Sequence, residues 1–284
     1  MTTPATLPIG DSIAHDPVQS AENADLRSAH VRTLVQLPVS LKTRPRTSEI
    51  PRVIVQFWDD RGSLPSDVRD CLDSWQPLTK SGFKRVFFDD GAARQFISRA
   101  FGRTILAAFD RCGHPAMRCD YFRLCYLLVC GGFYVDADEW YLGANCEELF
   151  FDSTLKVQPL CYDLATESMV PPAVFLVEGA FSPDWIFYVN NNPLVAPPFH
   201  PVIQLALVRS TRILLGESGH SDIQATTGPG NLSASLVRHS LSCQLAGDDR
   251  DFTLLDNWEA ISVSRWPLSY RADARNWRLW NSST

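Results

Sequence analysis

The sequence predicts an α/β fold with a mostly parallel central sheet. Two observations carry this expectation: short β-branched and aromatic runs alternate with amphipathic helical stretches from residue 52 onward, and a Gly-Gly pair turns a long apolar helix straight into an apolar strand. A third bounds it. No stretch approaches the roughly 20 apolar residues of a membrane span, and the nearest, YFRLCYLLVCGGFYV (121–135), carries Arg123 and two glycines.

Taken in order, RVIVQFW (52–58) follows Pro51 and reads as a buried strand. Residues 66–75 read as a helix with Pro65 near its start and Val68, Cys71, Leu72 and Trp75 on one face. KRVFFD (84–89) is a second strand, and Asp90 is expected to cap a helix running to Phe101. His114-Pro115 opens a helix to about Cys130, which Gly131-Gly132 ends. FYVDAD (133–138) is the next strand. VFLVEG (174–179) and WIFYVN (185–190) follow as strands, then a helix over 201–215, a TGPGN turn (227–231), a helix to about His239, and TLLDN (253–257). His114 and His200 each precede a proline and are expected to begin helices. Residues 1–48 mix Pro, Ser, Thr, Ala and charge without clear period, and read as a flexible or partly helical arm with a short helix near Leu34. The remainder, 49–284, reads as one domain, with a first half (49–145) and a second (146–284).

Bulk properties exclude several classes. With a net charge of -6 and no dense Lys/Arg stripe, the chain is not drawn to nucleic acid by its charge. The eight cysteines include no C-x-x-C pair, which argues against a zinc ribbon and for buried, reduced thiols of a cytoplasmic protein. The first residues lack the basic start and apolar core of a secretory signal.

The chemistry concentrates in CDYFRLCYLLVCGGFYVDAD (119–138). On a helix Asp120 and Arg123 share a face; on a strand Tyr134, Asp136 and Asp138 point the same way. One helix–turn–strand unit can therefore gather an acid, a guanidinium, a phenol and two further acids at a sheet's carboxyl end, where α/β folds bind ligands. An all-oxygen pair such as Asp136 and Asp138 suits Mn²⁺ or Mg²⁺, which keep water ligands and take phosphate oxygens from a substrate. A bare D-x-D is a weak signal, and as an exposed turn it would mean nothing; the D-x-x-R helix and the apolar strand leading into it make the pattern specific.

That pattern, D-x-x-R-x-x-x-L-x-x-x-G-G-x-Y-x-D-x-D, resembles the sugar-nucleotide-binding core of the DxD-containing glycosyltransferases, among them yeast-type mannosyltransferases, bacterial capsular-polysaccharide transferases and the glucosylating domains of large clostridial toxins. IPRVIVQFW and LPSDVRDCLDSW resemble that family's opening, and VNNNPLVAPPFHPVIQLAL and TTGPGNL resemble its later segments. The resemblance implies a GT-A-like, Rossmann-type fold and a metal-dependent hexosyltransferase that moves a sugar from a UDP- or GDP-sugar to a glycan, lipid-linked or protein acceptor, with retention. It implies Asp120 and Arg123 on the donor sugar, Trp58 near the base, Tyr134 beside the nucleotide, Asp136 on the ribose or metal, and Asp138 as metal ligand. Asn190 would reach a donor or acceptor hydroxyl, and Trp277, Trp280 or Ser282 would close over the diphosphate. A membrane-bound acceptor would place the chain peripherally at an inner membrane face. Two departures stand out: RNWRLWNSS (275–283) has no histidine, and Val55-Gln56 replaces the family's lysine or histidine after the first strand's isoleucine. Two other classes compete. A haloacid dehalogenase-type phosphatase also places D-x-D after an apolar strand, but wants Thr or Val where Trp140 stands. A non-catalytic nucleotide-sugar-binding protein would keep the site and lack turnover.

Overall fold

The apolar run VIVQF forms β1 (Val53–Phe57), fully buried after its first residue because both of its faces are covered. The computed structural model describes residues 16–36, 48–216 and 222–280. Before β1 lie helices α1 (Pro17–Glu22) and α2 (Ala24–Gln36). After it come α3 (Ser66–Ser74), β2 (Lys84–Phe88), α4 (Asp90–Ala100), α5 (Arg103–Asp110) and α6 (Pro115–Cys130). The second half contains β3 (Gly132–Tyr134), β4 (Glu139–Tyr141), β5 (Leu155–Asp163), β6 (Ser168–Met169), α7 (Pro172–Phe175), β7 (Trp185–Ala196), α8 (Pro201–Leu215), α9 (Ile223–Thr226), α10 (Pro229–Ala246), β8 (Phe252–Leu254), α11 (Trp258–Ile261) and β9 (Ser262–Ser264).

The predicted α/β class is the one observed. The central sheet runs β2-β1-β3-β7-β5-β6, with β8 beside β5. Its β2-β1-β3 end is parallel, as is β5 with β8, while β3–β7, β7–β5 and β5–β6 run antiparallel. A separate antiparallel pair, β4 and β9, stands beside it.

Period-two alternation along β3 divides the core. Phe133 points to one layer, where Trp75 meets it edge-on at 5.4 Å and Trp258 at 6.0 Å. Tyr134 points to the other, formed around α6 and α8. Each such aromatic pair contributes about 0.5–1.5 kcal/mol beyond the area it buries. The α6–β3 turn needs its glycines. Gly131 has φ +65°, and a Cβ there would lie 2.7 Å from Pro198 Cδ; Gly132 has φ +115°, with Val53 O 2.9 Å from its would-be Cβ.

Several expected elements change. The cap of α4 is Asp89, whose carboxylate accepts from the Ala92 N–H at 2.8 Å; Asp90 instead binds Arg118. VFLVEG is not a strand, because Pro171-Pro172 starts the short helix α7. β5 went unpredicted because Pro159 interrupts its pattern; it is accommodated where the register with β7 shifts. His114 and His200 do begin helices, each accepting an N–H from two residues on through Nδ1. The described part of the arm is docked: Val31 and Leu34 are buried in the main core, and Glu22 pairs with Arg209.

Candidate functional site

The carboxyl end of β3 opens into a cleft of about 1290 Å³, whose walls include Trp58, Asp120, Arg123, Asp136, Asp138 and Asn190. The α6–glycine–β3 unit builds its floor. Arg123 is only 2% exposed, on the inner face of α6. Its Nη2 donates to Asp136 Oδ1 at 2.8 Å and lies 2.9 Å from Asp120 Oδ1; its Nη1 donates to the Asn191 carbonyl. The Tyr134 hydroxyl donates to the same Asp136 oxygen at 3.2 Å, and the Tyr134 ring lies under the guanidinium, 4.3 Å from Cζ. Burial works against the Arg123 charge, but Asp136 leads the neighbours that hold its pKa well above the ordinary value. Removing one partner of such a buried pair typically costs about 3–5 kcal/mol, because the remaining charge stays buried.

Strand β7 supplies the opposite edge. Asn191 Nδ2 donates to Asp120 at 2.8 Å, and Asn192 Oδ1 accepts from the Asp136 N–H at 2.9 Å. Thr227, just before α10, donates to the second Asp120 oxygen at 3.2 Å. Burial pushes the Asp120 carboxyl up to about 6, with Arg123 pulling it down. Asn192 also donates to Glu139 at 3.0 Å; Ser262 and Ser264, alternate residues of β9, donate to it as well. Burial pushes the Glu139 carboxyl up to about 7.

The chain after β9 forms the remaining wall. Tyr270 donates to Asp138 Oδ2 at 2.8 Å, and Arg271 pairs with the same oxygen. Burial, then the Asp136 charge, raises the Asp138 pKa, while Arg271 opposes that rise. The contacts from other side chains thus fall on Oδ1 of Asp136 and Oδ2 of Asp138, leaving the other oxygen of each for a ligand. Two hard oxygens fit Mn²⁺ or Mg²⁺. Among the described residues no three His, Cys, Asp or Glu side chains form a metal-binding group, so an ion there would take its other ligands from water and substrate.

The sequence expectations land unevenly. Asp120, Arg123, Asp136 and Asp138 line one cleft, but the expected strand over 133–138 is shorter: β3 ends at Tyr134, so Asp136 follows it and Asp138 sits in the turn beyond. Trp58 lines the cleft, with the Tyr270 ring edge-on at 5.2 Å and Arg275 5.5 Å away. Tyr134 is fully buried beneath Arg123 and outside the cleft lining, so it reaches the site through Arg123, Asp136 and Cys119, whose Sγ lies 2.8 Å from its hydroxyl, rather than lying beside the nucleotide. Trp280 packs against His114 at 5.6 Å outside the cleft lining, whereas Trp277 lines it. Asn190 reaches Gln158 at 3.2 Å. Ser282 lies outside the described residues. Sequence reasoning missed Glu139, Thr227, Ser262, Ser264, Tyr270 and Arg271. The S-V-S alternation was a legible strand signal; the partnership with Glu139 was not, because it joins segments far apart in the chain.

No protein-family model matches the chain. Over 90 residues, 31% of its length, it is 31% identical to a protein of Acanthamoeba polyphaga mimivirus described as an uncharacterized glycosyltransferase, and the match spans 36% of that protein. The chain therefore aligns with about a third of this relative. Among solved structures it is similar to PaToxG Glycosyltransferase, with a TM-score of 0.47 at 14% identity, over 94% of this chain and 96% of that one.

Proposed function

We propose that the chain is a glycosyltransferase of the DxD type, taking a sugar from a UDP- or GDP-sugar to a hydroxyl of a glycan, lipid-linked or protein acceptor, with retention. The observation that supports it best is the convergence of Asp120, Arg123, Asp136 and Asp138 at one end of β3, in a cleft large enough for a nucleotide sugar. The named mimivirus relative points the same way.

Asp136 and Asp138 would hold a Mn²⁺ or Mg²⁺ ion, which supplies Lewis-acid stabilisation to a departing diphosphate. The protein's own groups do the orienting. Asp120, fixed by Arg123, Asn191 and Thr227, presents a carboxylate edge to sugar hydroxyls. Arg123 ties α6 to β3 and β7, so the acids keep their separation when a substrate enters. Trp58 offers an aromatic wall for the base. Front-face attack within a tight ion pair needs no protein nucleophile.

The test is incubation with Mn²⁺ and a panel of UDP- and GDP-sugars, followed by chromatography of released nucleotide. Slow metal-dependent release from one donor is expected. Phosphate release from simple phosphomonoesters, with no sugar-nucleotide turnover, would overturn the reading. Donor binding without turnover on any acceptor would favour a non-catalytic binding protein, a reading to which the internal Arg271–Asp138 pair lends some weight.

A further inference from the structure

The segment from the end of β9 onward, SRWPLSYRADARNWR (264–278), carries arginines that the expected site does not use. Two of its arginines sit on one ring. Arg271 lies 4.4 Å and Arg278 4.2 Å from the centroid of Trp266. Both line the cleft, as does Trp266 itself. Stacking fixes planar guanidiniums without consuming their in-plane donors.

The two differ in what they touch. Arg271 pairs with Asp138, yet its buried Nε has no hydrogen-bond partner among the described residues. Arg278 makes no carboxylate contact within 4.0 Å among the described residues. Its charge is disfavoured first by burial and then by Arg271. Arg278 is exposed, so water screens part of this repulsion, and an anion held between the two guanidiniums would relieve the rest. Of the other cleft arginines, Arg123 is committed to Asp120 and Asp136 and Arg275 to Asp59 and Asp273, while Arg27 of α2 donates to the Ala21 carbonyl.

We propose that Arg271 and Arg278, mounted on Trp266, form a two-guanidinium clamp for the diphosphate of the donor, on the cleft wall that meets Asp138. This rests on the cleft being the donor site proposed above. Arg271 then has two positions. Without ligand it neutralises Asp138. With a divalent ion on Asp138, its guanidinium is released to the phosphate oxygens, where paired N–H groups match their geometry. The clamp adds recognition of a second phosphate group, so it selects diphosphates over monophosphates.

Calorimetry on the whole chain tests this with UDP, UMP and inorganic pyrophosphate in the presence of Mn²⁺, and with Mn²⁺ alone. Wild type is expected to prefer UDP to UMP. Arg278→Gln is expected to weaken UDP and pyrophosphate by about tenfold or more, the loss of a charged hydrogen-bonding partner, while UMP changes little. Arg271→Gln is expected to weaken UDP too, yet to bind Mn²⁺ alone several-fold more tightly, because Asp138 loses its competing cation. A wild-type chain that binds neither diphosphate overturns the clamp, as does an unchanged UDP-to-UMP ratio in Arg278→Gln. Since Arg278 is less enclosed than Arg271, it serves if Arg271→Gln fails to fold. Pyrophosphate binding weakened by Arg278→Gln, with no sugar-nucleotide turnover, keeps the clamp and removes the transferase. Sugar-nucleotide turnover with unaltered Arg278→Gln affinities does the reverse.

Discussion

At the scale of single residues, Asp138 separates the proposed chemistry from a merely structural role. Asp138→Asn keeps a hydrogen-bonding group for Tyr270 and removes the negative charge a cation needs. It is expected to abolish Mn²⁺-linked donor binding; calorimetry showing unchanged linkage would refute the metal assignment. His200 makes a separate, pH-dependent point away from the cleft. Its Nδ1 accepts the Val202 N–H and its Nε2 meets the Asp251 carbonyl at 3.0 Å. Burial holds its pKa below the ordinary value of 6.5, partly opposed by Asp251. Below that value the unfolded chain binds a proton that the folded chain resists, so His200's contribution is present above it and lost as pH falls. Urea titrations from pH 8 to pH 5 should show falling stability, with a shallower decline in His200→Asn, which retains a capping side chain.

At the scale of elements, the α6–Gly-Gly–β3 unit was the most legible part of the sequence. Helix period, glycine stop and strand period all lie within twenty residues and agree with one another. The same locality makes it sensitive. Gly131→Ala would place a methyl against Pro198 and Ala196 at positive φ, and is expected to destabilise by more than about 1 kcal/mol, read as a lower urea midpoint. Elements set by distant partners were illegible. The strand expected to end at Asn190 instead runs on through Asn191 and Asn192 as β7, because Asp120, the Asp136 N–H and Glu139 satisfy their buried amides. β5 hid behind Pro159, and Tyr270 and Arg271 gave no sign in the sequence that Asp138 would be their partner. Local rules reveal where acids can gather; they say little about which cation reaches them.

At the scale of the whole molecule, the described part of the arm belongs to the core. Leu34 is 4% exposed within the main apolar cluster. Leu34→Ala is therefore expected to cost about 2–5 kcal/mol in denaturant unfolding, where a free arm would cost nothing. No described helix is long and apolar enough to cross a membrane.

The pairing of β4 with β9 has a consequence in time. Asp138 meets Tyr270 and Arg271, 132 and 133 residues further along the chain, and β5 gains β8 only after residue 251 has been made. Synthesis runs from the N-terminus. A nascent chain thus presents its acidic pair, with Arg123 already beside it, well before the opposite wall exists. Until residues 262–278 have been made, the cleft lacks the wall that carries Tyr270, Arg271 and Arg278, although Asp120, Arg123, Asp136 and Asp138 are already present.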